Sequence, residues 1–131
     1  HPVTALHGMA VSQNEQASAV GRDILAAGGN AVDAAVAMGF ALAVTLPRAG
    51  NIGGSGFMLA RLKDKTVALD YRSTAPLGAT VELYKMPDGS MDNNKFSFGP
   101  LAPAVPGTVA TWASSSSVLQ SAWSRVNGTC R

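Results

Sequence analysis

Gly28-Gly29-Asn30-Ala31-Val32-Asp33-Ala34-Ala35-Val36-Ala37 ends one helix and begins another. Glycine takes the left-handed conformation that closes a helix without a Cβ clash, so Gly28-Gly29 is a stop. Asn30 can accept from the first free amides of a new helix, and Asp33 falls near its positive end. Upstream, Ala17, Val20, Gly21, Ile24 and Leu25 recur at the spacing of one helical face. Ser12-x-x-Glu15 has the form of a capping box for that first helix, and residues 8–12 read as a short strand leading into it. Downstream, Ala34 to Val44 is an uninterrupted apolar run of eleven residues, too short to cross a membrane as a helix. A helix without a polar face is expected to be buried on several sides. Pro47 stops it.

Beyond Pro47 lies a glycine loop, Gly50-Asn51-Ile52-Gly53-Gly54-Ser55-Gly56. Phe57–Leu62 and Thr66–Tyr71, joined by Lys63-Asp64-Lys65, predict a β-hairpin. Pro87-Asp88-Gly89 and Asn93-Asn94 are turn signals, so residues 77–100 read as mostly irregular surface. Thr108-Val109-Ala110, after Pro106-Gly107, is a helix start, and no internal repeat is visible. The pattern is α+β.

Composition narrows the function classes. Hydrophobic residues make up 47% of the 131 and charged residues 14%, the reverse of a disordered chain. Ten Lys and Arg against eight Asp and Glu leave a formal charge of +2, with no basic cluster that would mark a nucleic-acid surface. A single cysteine, Cys130, excludes an internal disulfide and a cysteine-based zinc site. His1 and His7 have no ligand spacing, so no metal site is expected. Asn127-Gly128-Thr129 fits a glycosylation acceptor pattern that often arises by chance. The start at His1-Pro2 lacks an initiator Met and a signal-peptide pattern, as in a processed chain or an excerpt.

Two features could carry chemistry. The glycine loop runs helix, glycines, strand, the opposite order to a dinucleotide fingerprint, and Gly56 is followed by Phe57 rather than Lys as in a phosphate-binding loop. Its glycines either permit a tight passage from helix to strand or let backbone approach a substrate or an active-site segment too closely for any Cβ. Arg72, just past Asp70-Tyr71, offers a guanidinium that matches a carboxylate with two parallel hydrogen bonds. The other reading of Arg72 is an ordinary salt bridge, for instance with Asp70.

Five stretches in register are more specific than any one of them. They are Gly28–Ala37, Ala41–Pro47, Gly50–Met58, Asp70–Pro76 and Val105–Ala110. Together they resemble the N-terminal part of the gamma-glutamyltranspeptidases, or glutathione hydrolases, over residues 1–111. The resemblance implies an N-terminal nucleophile hydrolase αββα sandwich, of which this chain is the N-terminal portion. In that family a precursor cleaves itself into a large and a small subunit. The small subunit's N-terminal Thr attacks the gamma-glutamyl amide of glutathione or its conjugates, with its own α-amine placed to act as base. Water or an amino-acid or peptide acceptor then takes the gamma-glutamyl group, and no metal or organic cofactor is needed. Of the family's substrate residues, the one that maps here is Arg72, which binds the α-carboxylate of the glutamyl group. The partners implied are gamma-glutamyl compounds and the small subunit, not nucleic acid, and the location implied is periplasmic or secreted.

The chain departs from the family pattern in three places. Ser73 stands where the family usually has Glu after the Arg. Past residue 111 the usual Gly, amphipathic helix and Tyr-Gly turn give way to Trp112 and the Ser114–Ser117 run, so 112–131 reads as a divergent Ser-rich tail, as a truncated or shifted reading frame would produce. Eight threonines are present, none in the nucleophile context, so the isolated chain is expected to be inactive. The alternatives are a related glutaryl-amide (cephalosporin) acylase and a non-catalytic truncated product.

Overall fold

The computed structural model describes residues 3–63 and 65–115. Helix α1 (Glu15–Ala26) and helix α2 (Ala31–Thr45) pack on each other, followed by a hairpin of β1 (Phe57–Arg61) and β2 (Thr66–Asp70). A short helix α3 (Asn93–Ser97) and 3-10 turns at Pro47–Ala49 and Val81–Tyr84 punctuate the rest, and residues 108–115 are helical. The class is α+β, as the sequence pattern indicates.

The link between α1 and α2 is built as its residues dictate. Gly28 has φ 92° and its N–H donates to Leu25 O at 3.1 Å, while Gly29 N–H donates to Ile24 O at 2.9 Å. This bond pair closes the carbonyl end of α1. At the start of α2, Asn30 Oδ1 accepts from the amides of Val32 and Asp33, and the Asp33 carboxylate accepts from Asn30 N–H at 3.0 Å. The N-terminal end of α1 differs from expectation. Asn14, not Ser12, is its cap, accepting from Ala17 N–H at 3.0 Å. Ser12 sits two positions too early: its hydroxyl donates to Asn14 O and bonds Ser18 Oγ. Residues 8–12 form no strand, because no described segment pairs with them.

The helix pair meets through small residues. Ala17 and Gly21 of α1 and Val32 and Ala34 of α2 are buried. A Cβ on Gly21 would collide with Met38 of α2 and stand 2.9 Å from Ala10 Cβ, so the glycine sets how closely the layers approach. The second covering of α2 comes from the 108–115 segment: Trp112 packs edge-on to Phe40 with ring centroids 4.7 Å apart and lies over Gly39. The expectation that α2 is enclosed on several sides is not met by these residues. Val44 is 80% exposed; among the described residues the helix is met by α1, the Pro47–Ala49 turn and the Trp112 segment.

The expected hairpin forms, with Phe57 opposite Asp70, Met58 opposite Leu69 and Arg61 opposite Thr66. Leu62 and Lys65 exchange backbone bonds beyond the strands, so the connection is two residues, 63 and 64, and the register is shifted by one from that of the expected three-residue connection. Met58, Ala60, Val67 and Leu69 share the half-buried face, and Phe57 and Leu59 stand on the exposed one. Apolar side chains on both faces suit a sheet covered on both sides. Asn93-Asn94 forms the first turn of α3 rather than a turn, because Asp92 accepts from the amides of Asn94 and Lys95 and caps it. Gly89, at φ 84°, makes the turn expected at Pro87-Asp88-Gly89.

Candidate functional site

Three segments converge at the end of β2. Tyr71 N–H donates to Gly56 O at 3.0 Å, which extends the hairpin pairing into the glycine loop. Thr74 and Val105 form an isolated antiparallel bridge, at 3.1 Å and 2.8 Å in its two directions. Thr108, buried at the start of its helical segment, donates from its amide to Gly54 O at 3.4 Å. The strand end is therefore held between the glycine loop on one side and Val105-Pro106-Gly107 on the other.

The glycines here answer the question the sequence left open. A Cβ on Gly107 would collide with the Tyr71 carbonyl oxygen, and one on Gly56 would stand 2.9–3.0 Å from the Tyr71 ring. A Cβ on Gly54 would be 3.1 Å from Asn51 O, inside the turn that Gly54 N–H closes onto that oxygen. Asn51 itself donates from Nδ2 to Pro47 O at 3.3 Å, tying the loop to the turn after α2. The tight approach is thus to neighbouring protein segments.

Arg72 stands at the centre of this junction with an exposed side chain. Its N–H donates to Asp70 Oδ1 at 2.9 Å, so Asp70 holds the backbone of Arg72 rather than its guanidinium. That corrects the salt-bridge reading: among the described residues the ion pairs are Arg22–Asp23 and Lys85–Glu82. The Arg72 guanidinium instead lies over the ring of Phe57, 5.9 Å from its centroid. Sequence reasoning missed Phe57. Counting outward from a three-residue Lys63–Lys65 connection sets Phe57 opposite Tyr71; the observed pairing of Leu62 with Lys65 shifts the register by one and puts Phe57 opposite Asp70.

An open apolar cleft of about 770 Å³ adjoins the junction, lined among others by Met38 and Leu42 of α2, Phe57, Tyr71 and Trp112. Arg72 lies outside it. His7 is exposed in the lead-in to α1; His1, Cys130 and Asn127-Gly128-Thr129 lie outside the described residues. Among the described residues no three His, Cys, Asp or Glu side chains cluster as a metal site would require, and no helix is long and apolar enough to cross a membrane. Of the tail expected over 112–131, residues 116–131 also lie outside the description.

The gamma-glutamyltranspeptidase family model matches residues 17–120, which takes in all three converging segments. The chain belongs to the gamma-glutamyltranspeptidase family. It is 53% identical over 111 residues to the glutathione hydrolase proenzyme of Escherichia coli K12, a match covering 84% of this chain and 19% of that protein. It is 41% identical over 118 residues to the acylase ACY 1 proenzyme of Pseudomonas sp. strain V22, covering 85% of this chain and 21% of that one. The crystal structure of Helicobacter pylori gamma-glutamyltranspeptidase superposes with a TM-score of 0.79 at 47% identity, over 85% of this chain and 32% of that chain. The fold is therefore the N-terminal portion of an N-terminal nucleophile hydrolase. The chain spans about a fifth of the length of the curated relatives it matches, and corresponds to their N-terminal part.

Proposed function

We propose that the complete protein carrying this sequence is a gamma-glutamyltransferase and glutathione hydrolase, and that Arg72 holds the α-carboxylate of its gamma-glutamyl substrate. The observation that carries the reading is the placement of Arg72. Its backbone is fixed by Asp70 and by the pairing on either side of it, while its guanidinium remains exposed and without a carboxylate partner among the described residues. A guanidinium held in this way is ready for a forked pair with a small carboxylate.

In this reading the nucleophile comes from sequence outside this chain, as the N-terminal Thr of a small subunit cut from the same precursor. Its hydroxyl attacks the γ-amide carbonyl while its own α-amine takes the proton, and the amine product leaves as the gamma-glutamyl ester forms. Water then releases glutamate, or the amine of an amino acid or peptide accepts the glutamyl group. The exposed apolar residues Val44, Ile52 and Leu59, and the open cleft beside α2, are surfaces that the remaining sequence of the complete protein covers. The protein acts in the periplasm or outside the cell. The divergence from the family pattern expected over residues 112–131 lies in the Ser-rich sequence toward the end of that stretch, a reading supported by a family match that reaches residue 120.

The acylase relative supports a second reading, hydrolysis of a glutaryl-type amide, whose free carboxylate Arg72 would hold in the same way. Steady-state kinetics of the complete protein on glutathione and on a glutaryl amide decide between them. A higher kcat/KM on glutathione upholds the proposal. A higher value on the glutaryl amide replaces it with the acylase reading.

A further inference from the structure

We propose that Phe57 is a positioning residue for Arg72: its ring face orients the guanidinium toward the substrate carboxylate. The inference rests on the reading of Arg72 given above. Phe57 is 65% exposed, so among the described residues its ring serves little as core. It is the register partner of Asp70, and the two act on opposite ends of one arginine. Asp70 Oδ1 takes the Arg72 amide at 2.9 Å, and the Phe57 ring lies under the guanidinium at 5.9 Å from its centroid.

The physical basis is the negative face of the aromatic quadrupole, which attracts a cation within about 6 Å of the ring centroid. A flexible arginine side chain would otherwise sample many rotamers and lose entropy on meeting a carboxylate. A ring face that attracts the guanidinium restricts it through its charge and not through its N–H groups, which stay available to a carboxylate. The cross-strand pair Phe57–Asp70 thus presets both the backbone and the head of Arg72.

The test is steady-state kinetics of the complete, matured protein on a gamma-glutamyl anilide, for Phe57→Leu, Phe57→Tyr, Arg72→Lys and the double variant Phe57→Leu/Arg72→Lys. Phe57→Leu is expected to raise KM about two- to fivefold with little change in kcat, the range of an exposed cation–ring contact. Phe57→Tyr should restore it, and in the Arg72→Lys background the Leu substitution should add much less than it does alone. A donor whose α-carboxylate is replaced by a carboxamide should show no Phe57 dependence. Equal losses for Leu and Tyr, or an undiminished Leu effect in the Arg72→Lys background, would overturn the proposal and make Phe57 a packing residue. Unchanged kinetics in Arg72→Lys itself would instead remove the reading on which it rests. Should Phe57→Leu fail to mature, a fluorinated phenylalanine at position 57 keeps the shape and drains the ring face of electrons. KM must then rise, and an unchanged KM overturns the proposal.

Discussion

The backbone of Gly107 rests on the carbonyl of Tyr71 so closely that a Cβ at position 107 would collide with that oxygen. The contact locks the helical segment beginning at Thr108 to the residue that precedes Arg72. Gly56 approaches Tyr71 from the other side, but there the neighbour is the ring, 2.9–3.0 Å from an added Cβ.

A backbone obstacle yields less readily than a side chain that can rotate. Gly107→Ala is therefore expected to destabilise the complete protein by about 1–3 kcal/mol, the usual range for overpacking. Gly56→Ala should cost less. Urea midpoints of the two variants give the comparison, and a larger loss for Gly56→Ala would contradict the order.

The reciprocal bonds of Asn30 and Asp33 fix where α2 begins. Asn30→Ala removes the acceptor for two amides, and the expected loss is about 1 kcal/mol. Asp33→Ala removes one bond and a charge at the positive end of the helix, and should cost a few tenths to about 1 kcal/mol. Thermal or urea unfolding measures both, and no loss in Asn30→Ala would mean that the cap contributes nothing.

Away from the site, the Ser90 hydroxyl and then its amide donate to Asp88 Oδ1 and hold that carboxyl below the ordinary aspartate range. A depressed folded-state value stabilises the turn above the unfolded aspartate pKa and ceases to do so as pH falls through the folded one. Carbon-detected NMR titration should show Asp88 titrating low, with Ser90→Ala moving it up. An Asp88 carboxyl that titrates identically in both proteins would rule out the hydroxyl as the cause.

The isolated 131-residue polypeptide is expected to release no chromophore from a gamma-glutamyl anilide, because the proposed nucleophile lies on a part of the protein outside it. Release above the blank would place catalytic groups within this chain.

Much of the architecture is legible in the sequence because it is local. Gly28-Gly29 and Asn30-x-x-Asp33 encode their own hydrogen bonds, and alternation with a short polar connection encodes the hairpin. What could not be read depends on partners. The residues 8–12 expected as a strand have no described neighbour to pair with, and Ser12 lost the capping role to Asn14 by two positions. At the site, Arg72 could be chosen from its chemistry and its family context. The use of Asp70 on the Arg72 amide, and of Phe57 under its guanidinium, appears only once the strands are in register. The glycine loop likewise had two readings until Tyr71 and Asn51 were seen against it.

The central claim is that Arg72 anchors the substrate carboxylate, and Arg72→Lys in the complete protein tests it most directly. One ammonium keeps the charge but cannot reproduce the forked pair. Loss of a charge-assisted bidentate contact of about 1.5–3 kcal/mol predicts a kcat/KM on a gamma-glutamyl anilide roughly ten- to a hundredfold lower. KM and kcat both unchanged in that variant would contradict the account.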